Sequence, residues 1–221
     1  MDGADLCYTP ALELRRLIQT RALSPLELAK VVLERIERLN PVINAFLTIP
    51  SDLALEQAKA AEARVMRGSP SGPLEGIPYS VKDLEPTAGV RTTYGSKWFE
   101  HNIPSEDGAV AGLLREAGGI LLGKTNTPHF GYKDMCDNLL GPPCRNPWKP
   151  DRTSGASSGG AGAAVAAGLG PVAQGSQAVF WPGALSSECR LLGCPIPHRA
   201  DDAHGSGRRP LTQRHGRTGS T

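Results

Sequence analysis

The sequence lacks long hydrophobic runs and has few aromatic residues, which make up 5% of its 221 positions. No stretch of about 18 consecutive apolar residues occurs, and this excludes a membrane-spanning helix. The first ten residues contain acidic side chains and no apolar core, so we expect no secretory signal there. The five cysteines are odd in number and form no dense disulfide framework. We therefore expect a reduced protein of the cytoplasm.

Lysine is absent from the last fifth of the chain, and this separates two kinds of sequence. Residues 1–176 carry 18 basic and 19 acidic side chains, whereas residues 177–221 carry six arginines and three acidic side chains. We predict a globular domain over residues 1–176, and the family resemblance described below implies that this domain is partial. Over residues 177–221 we predict a divergent, disordered tail that is rich in arginine, glycine and proline.

The first 70 residues are predicted to be mainly helical. One helix begins after Thr9–Pro10, and a second begins at Ser24, whose side chain suits a helix N-cap. We expect Asn40–Pro41 to end the second helix, because proline disrupts a helix interior. A third helix is expected from Ser51 to about Gly68.

From Gly72 onward the pattern changes to alternating strands and helices. Apolar stretches at Ile77–Val81 and Ile120–Leu122 predict buried strands, and Ala109–Ala117 predicts a helix between them. A glycine- and serine-rich segment then leads into an alanine-rich stretch that favours a helix, together covering Ser154–Gly168. This order predicts an α/β fold in which helices cover a central sheet.

Residues 118–125 match the phosphate-binding pattern G-x-x-x-x-G-K-[ST]. Such a site requires a glycine loop after a strand and a helix after the lysine and threonine. Here Gly119–Leu122 are themselves typical of a strand, and Pro128 follows too soon for a helix to begin. We therefore expect no nucleotide site, and we interpret Lys124 as structural.

Lys82 and the doublet Ser157–Ser158 are the candidate catalytic residues. Lys82 ends an apolar strand, where burial would favour its neutral amine and make it a usable base. The serines lie among glycines at a predicted helix start, where unpaired amides can hold an anion. A serine with a desolvated lysine is an alternative to a Ser–His–Asp triad. The competing interpretation is that Lys82 forms a surface ion pair with Asp83 or Glu85, and that Ser157 only caps a helix.

Four segments together resemble the amidase signature family, and they occur in the family's order. They are Leu74–Asp83 (LEGIPYSVKD), Thr92–Ser96 (TTYGS), Leu122–Gly131 (LGKTNTPHFG) and Asn146–Gly160 (NPWKPDRTSGASSGG). The match covers roughly residues 9–176, with Ala156 where a glycine is usual. The resemblance implies a mixed central sheet flanked by helices, and amide hydrolysis by a Lys–Ser–Ser triad.

By this resemblance Lys82 is the base, and Ser157 is a bridging serine in a cis peptide that passes the proton. Ser158 is the adjacent supporting serine. The implied substrate is a small-molecule amide, whose identity the sequence does not specify. We expect no cofactor, no metal, no membrane span and no nucleic acid partner, and no pattern specifies an oligomeric state.

The family's nucleophile segment, which reads like Gly-Thr-Asp-x-Gly-Gly-Ser, has no counterpart here. The chain agrees up to Gly175–Ser176 and then places Trp181 where the nucleophilic serine is expected. The glycines whose amides would stabilise an oxyanion are absent as well. A relocated nucleophile would have to be Ser176, Ser186 or Ser187, which lie outside the pattern. We therefore expect weak or no amidase activity.

The abrupt loss of the match suggests a truncated parent enzyme. Our hypothesis is a frameshift, or a splicing or assembly error, near codon 177. A single-base correction in the coding DNA that restores Asp-x-Gly-Gly-Ser would support it, and an intact frame without that segment would contradict it. The alternative is a non-catalytic binding protein with a zinc- or nucleic-acid-binding tail. Four possible zinc ligands lie there, although their central gap is short for a zinc finger: Cys189, Cys194, His198 and His204.

Overall fold

The computed structural model of the chain describes residues 3–175. The predicted tail over residues 177–221 therefore lies outside the described residues. The same holds for Trp181 at the expected nucleophile position. It also holds for the possible substitute nucleophiles and zinc ligands: Ser176, Ser186, Ser187, Cys189, Cys194, His198 and His204.

Helices and strands alternate after a helical N-terminal region. The helices are α1 (Gly3–Tyr8), α2 (Ala11–Gln19), α3 (Pro25–Ile43), α4 (Ser51–Arg67), α5 (Ala109–Glu116) and α6 (Gly159–Ala166). The strands are β1 (Phe46–Thr48), β2 (Pro78–Lys82), β3 (Ile120–Thr125), β4 (Arg145–Asn146), β5 (Lys149–Thr153) and β6 (Val172–Ala173). Helix α1 was not predicted, whereas the predicted helices at α2, α4, α5 and α6 are confirmed.

The start of α3 is confirmed, but its predicted end is wrong. The Ser24 hydroxyl accepts hydrogen bonds from the amides of Leu26 and Glu27, each at 3.1 Å. The helix passes through Pro41 and ends at Ile43, before Asn44 in the left-handed conformation. Pro41 has no amide to donate to the Glu37 carbonyl, so the last turn of the helix lacks one hydrogen bond. Asn40 instead holds the start of β1, since its Oδ1 accepts from the Phe46 amide at 2.8 Å.

A four-stranded mixed sheet forms the centre of the described part, in the order β1-β3-β2-β6. Strand β2 is parallel to β3 and β6, and β1 is antiparallel to β3. Strands β4 and β5 form a separate antiparallel hairpin. Helices α3 and α4 pack on β3 through small side chains, including Ala29, Ala54 and Ala58 against Ile120. The predicted α/β fold with a mixed sheet is confirmed.

Most of the phosphate-binding pattern, residues 120–125, forms strand β3, in agreement with the predicted strand. Gly123, Lys124 and Thr125 are the last three residues of β3, which is buried along its whole length. A Cβ on Gly123 would overlap the Thr48 carbonyl oxygen of β1, so this glycine allows the two strands to approach. No helix of the described residues is long and apolar enough to cross a membrane.

Candidate active site

Lys82 ends β2 in the interior of the protein. Its side chain is fully buried, and this burial lowers the pKa of Lys82 to about 8. The Lys82 amide donates a hydrogen bond to the side-chain oxygen of Gln174 at 3.0 Å. The Gln174 amide in turn donates to the Ser80 carbonyl at 2.8 Å, so the residues that follow β6 are fastened along β2.

The Lys82 amine donates a hydrogen bond to the Ser157 hydroxyl, with 2.5 Å between Nζ and Oγ. Strand β2 supplies the lysine, and the loop before α6 supplies the serine. The interpretation of Lys82 as a surface ion-pair partner is wrong, because the side chain has no exposed area. Glu85 instead accepts from the amides of Val110 and Ala111 at the start of α5, at 2.9 and 3.2 Å.

Ser157 and Ser158 lie immediately before α6, and both are buried. The peptide bond between Ala156 and Ser157 is cis. Gly131 lies beside Ser157, since a Cβ there would be 3.9 Å from the Ser157 Oγ. Gly175 lies beside Ser158, since a Cβ there would be 3.0 Å from the Ser158 Oγ. The two serines are thus enclosed by backbone from two other parts of the chain.

The motif segments on which the resemblance rests contact one another. Asp83 accepts from the Thr93 hydroxyl and, at 3.0 Å, from the Thr93 amide. Lys124 donates to the hydroxyls of Thr87 and Thr92 at 2.7 and 3.1 Å, and also to the Glu85 carbonyl. Lys124 is fully buried, and burial lowers its pKa to about 8. These three hydrogen bonds join β3 to residues 85–92, in agreement with a structural role for Lys124.

Gln174, Gly131 and Gly175 were not predicted as neighbours of the candidate residues. Gly131 belongs to one of the four segments on which the resemblance rests, and Gly175 lies at the end of the matching region. The sequence could therefore have indicated both glycines. Gln174 offered none, because its contact with Lys82 depends on how β6 pairs with β2. Among residues 3–175, no three His, Cys, Asp or Glu side chains are grouped so as to hold a metal ion.

The sequence model of the Amidase family matches residues 27–178, which include Lys82, both serines and all four motif segments. The chain belongs to the amidase family. A glutamyl-tRNA(Gln) amidotransferase subunit from Carboxydothermus hydrogenoformans is 41% identical over 204 residues, a region that covers 91% of this chain and 41% of that protein. An acylamidase of Rhodococcus erythropolis is 39% identical over 193 residues, covering 87% of this chain and 40% of that protein.

Solved structures of amidases show the same fold. A bacterial aryl acylamidase of the amidase signature family superposes with a TM-score of 0.72 at 34% identity, covering 75% of this chain and 35% of that one. The peptide amidase of Stenotrophomonas maltophilia superposes with a TM-score of 0.69 at 30% identity, again covering 75% and 35%. This amidase chain thus spans about two fifths of the length of the relatives it matches.

Replacement of Lys82 by methionine should change how stability depends on pH. The folded chain releases the Lys82 proton near pH 8, whereas the unfolded chain holds it up to its ordinary pKa of 10.5. The unfolded state therefore binds more protons between these values, and the stability of the unsubstituted protein rises with pH there. Relative to Lys82→Met, its free energy of unfolding should increase by about 2 kcal/mol from pH 8 to pH 10.

Urea unfolding of both proteins at the two pH values measures this difference. Lys59→Met, which removes an exposed lysine of α4, is the control for the loss of one positive charge. An equal stability difference between the unsubstituted protein and Lys82→Met at pH 8 and pH 10 would contradict the depressed pKa.

Proposed function

We propose that this chain carries the proton-transfer part of an amide hydrolase, with Lys82 as base, Ser157 as bridge and Ser158 as supporting serine. The observation that carries the proposal is the 2.5 Å hydrogen bond between the buried Lys82 amine and the Ser157 hydroxyl. A pKa of about 8 leaves part of the lysine neutral near pH 7, and a neutral amine can accept a proton. Membership of the amidase family supports the same chemistry.

In the complete reaction, a nucleophilic serine attacks the amide carbonyl while its proton passes through Ser157 to Lys82. The C–N bond then breaks, the amine leaves with that proton, and the acyl group stays on the serine. Water hydrolyses the ester and restores the serine. This scheme needs no cofactor or metal. The names of the relatives refer to different substrates. The proposed substrate of this chain is a small-molecule amide.

We propose that the chain as written is weakly active or inactive, because Trp181 stands where the nucleophile is expected. Lys82 and Ser157 would then have no serine to deprotonate. Residues 1–176 are accordingly proposed as a partial amidase domain, with the remaining residues as a divergent tail. The cysteine pattern supports a cytoplasmic location.

Labelling with a fluorophosphonate tests the absence of a nucleophile without knowledge of the substrate. The reagent phosphonylates an activated serine, and the adduct can be located in tryptic peptides by mass spectrometry. We expect no labelled serine above the background of the heat-denatured protein. A full-length acylamidase relative provides the positive control. Stoichiometric labelling of one serine in this chain would show that a nucleophile exists.

A second candidate function is that of a non-catalytic binding protein, which the tryptophan at the nucleophile position favours. Such a protein would be monodisperse, would unfold cooperatively and would bind an amide without consuming it. Calorimetric titration with acetanilide, followed by recovery of the intact amide, distinguishes it from an enzyme. A separate zinc titration tests the four possible ligands of the tail, and a stoichiometry near zero would remove zinc from this candidate.

A further inference from the structure

Two buried cysteines lie side by side in the described part of the chain. Cys136 and Cys144 are each 1% exposed, and the Cys144 amide donates to the Cys136 carbonyl at 2.8 Å. This hydrogen bond limits the separation of their Cα atoms to less than about 7 Å, which is within the range that a disulfide can bridge. Each thiol also shifts the pKa of the other, and both are free thiols here.

The pair packs against the segment that carries the two candidate serines. A Cβ on Gly159, the first residue of α6, would lie 2.7 Å from the Cys136 Cβ and 3.3 Å from its Sγ. The Ser154 hydroxyl donates to the Cys144 carbonyl at 3.3 Å. The cysteines therefore contact the chain on both sides of Ser157–Ser158.

We propose that Cys136 and Cys144 are a redox site that hydroperoxides convert reversibly from a dithiol to a disulfide. The thiolate of one cysteine attacks one oxygen of hydrogen peroxide, which breaks the O–O bond, forms a sulfenic acid and releases hydroxide. The other cysteine then loses its proton and attacks that sulfur, which forms the S–S bond and releases the second hydroxide. The two thiol protons convert both hydroxides to water, so two thiols and one peroxide give one disulfide and two waters.

The two thiols lie in different environments. The Cys136 thiol and the Arg145 amide lower the pKa of Cys144. The Cys144 thiol and burial raise the pKa of Cys136. A thiolate is the reactive form, so whichever thiol ionises first attacks the peroxide and the other resolves the intermediate. The low exposure of both sulfurs makes a small oxidant more suitable than a bulky one.

Mass spectrometry can detect the disulfide within one tryptic peptide. Cleavage after Lys133 and Arg145 yields residues 134–145, which contain both cysteines and no other. After treatment with hydrogen peroxide and alkylation under denaturing conditions, we expect this peptide unalkylated and about 2 Da lighter than the dithiol. Dithiothreitol should reverse the change. An alkylated dithiol in this peptide, at a dose that has oxidised free cysteine added to the same tube, would overturn the proposal.

Two single variants test the resolving step. In Cys136→Ser and in Cys144→Ser the remaining thiol has no partner to resolve it, and dimedone should trap its sulfenic acid. In the wild-type protein the partner thiol consumes that intermediate, so dimedone should label it at least tenfold less. Equal labelling of the wild-type protein and both variants would overturn the resolving step, and the wild-type peptide still tests the disulfide if either variant misfolds.

The stability of the oxidised protein tests whether the fold holds the thiols ready to bridge. A bridge that the fold accommodates restricts the unfolded chain more than the folded one. We expect the unfolding equilibrium constant in urea to be at least tenfold smaller for the disulfide form than for the dithiol form. An unchanged or larger constant would show that the fold does not favour the bridge.

Discussion

Hydrolysis of 4-nitroacetanilide by this chain should be at least about 10⁴-fold slower than hydrolysis by a full-length aryl acylamidase of the same family. The reason is that loss of the nucleophile from a catalytic triad costs on the order of 10⁴ to 10⁶ in rate. In the proposed scheme Lys82 and Ser157 only move the proton of the attacking group, so their hydrogen bond does not compensate for its loss. Release of 4-nitroaniline, followed by its absorbance at equal enzyme concentrations, measures the ratio.

A pair of lysine variants separates true activity from contamination. If the chain itself hydrolysed the amide, Lys82→Ala would abolish the rate, whereas Lys59→Ala on the exposed face of α4 would leave it unchanged. That pattern, at a rate within about 100-fold of the full-length enzyme, would contradict the proposed loss of activity. A residual rate that neither substitution alters comes from another protein in the sample.

The sequence predicted those parts of the fold that depend on local pattern. The local sequence pattern located α2, α4 and α5 because these helices present one face to the core. The end of α3 was misplaced because Asn40 and Pro41 carry two signals at once. In the sequence the two residues are typical of a helix end. In the structure the Asn40 side chain instead binds the Phe46 backbone, a contact that exists only in the folded chain.

The candidate site was predictable only in part, because its contacts join distant segments. Burial of Lys82 followed from its place at the end of an apolar strand. Its contact with Ser157 depends on β2 and α6 meeting, and the order of short strands such as β6 cannot be deduced from their composition. The Cys136–Cys144 contact was also missed, since the irregular segment between β3 and β4 has no periodicity to interpret.

Gly160→Ala should destabilise the protein by about 3 kcal/mol or more, because α6 approaches the end of β3 too closely for any side chain. A Cβ at Gly160 would lie 2.5 Å from the Asn126 carbonyl oxygen and 2.7 Å from the Ala45 carbonyl oxygen, and it would also overlap the Asn126 nitrogen. All three atoms are backbone, so no side-chain rotation relieves the overlap. The Gly160 amide donates to the same Asn126 carbonyl at 3.2 Å, a bond that the displaced helix would lose.

Gly162→Ala provides a matched control farther along the same helix. Gly162 is exposed, and a Cβ there would have no other atom within 4 Å. Alanine favours the helical conformation over glycine, so this variant should be about 0.5–1 kcal/mol more stable than the unsubstituted protein. Urea unfolding, monitored by circular dichroism, should therefore have its midpoint at a lower urea concentration for Gly160→Ala and at a higher one for Gly162→Ala. Equal shifts for both variants would mean that α6 does not pack against the Asn126 backbone, and the position of Ser157 beside Lys82 would lose its structural basis.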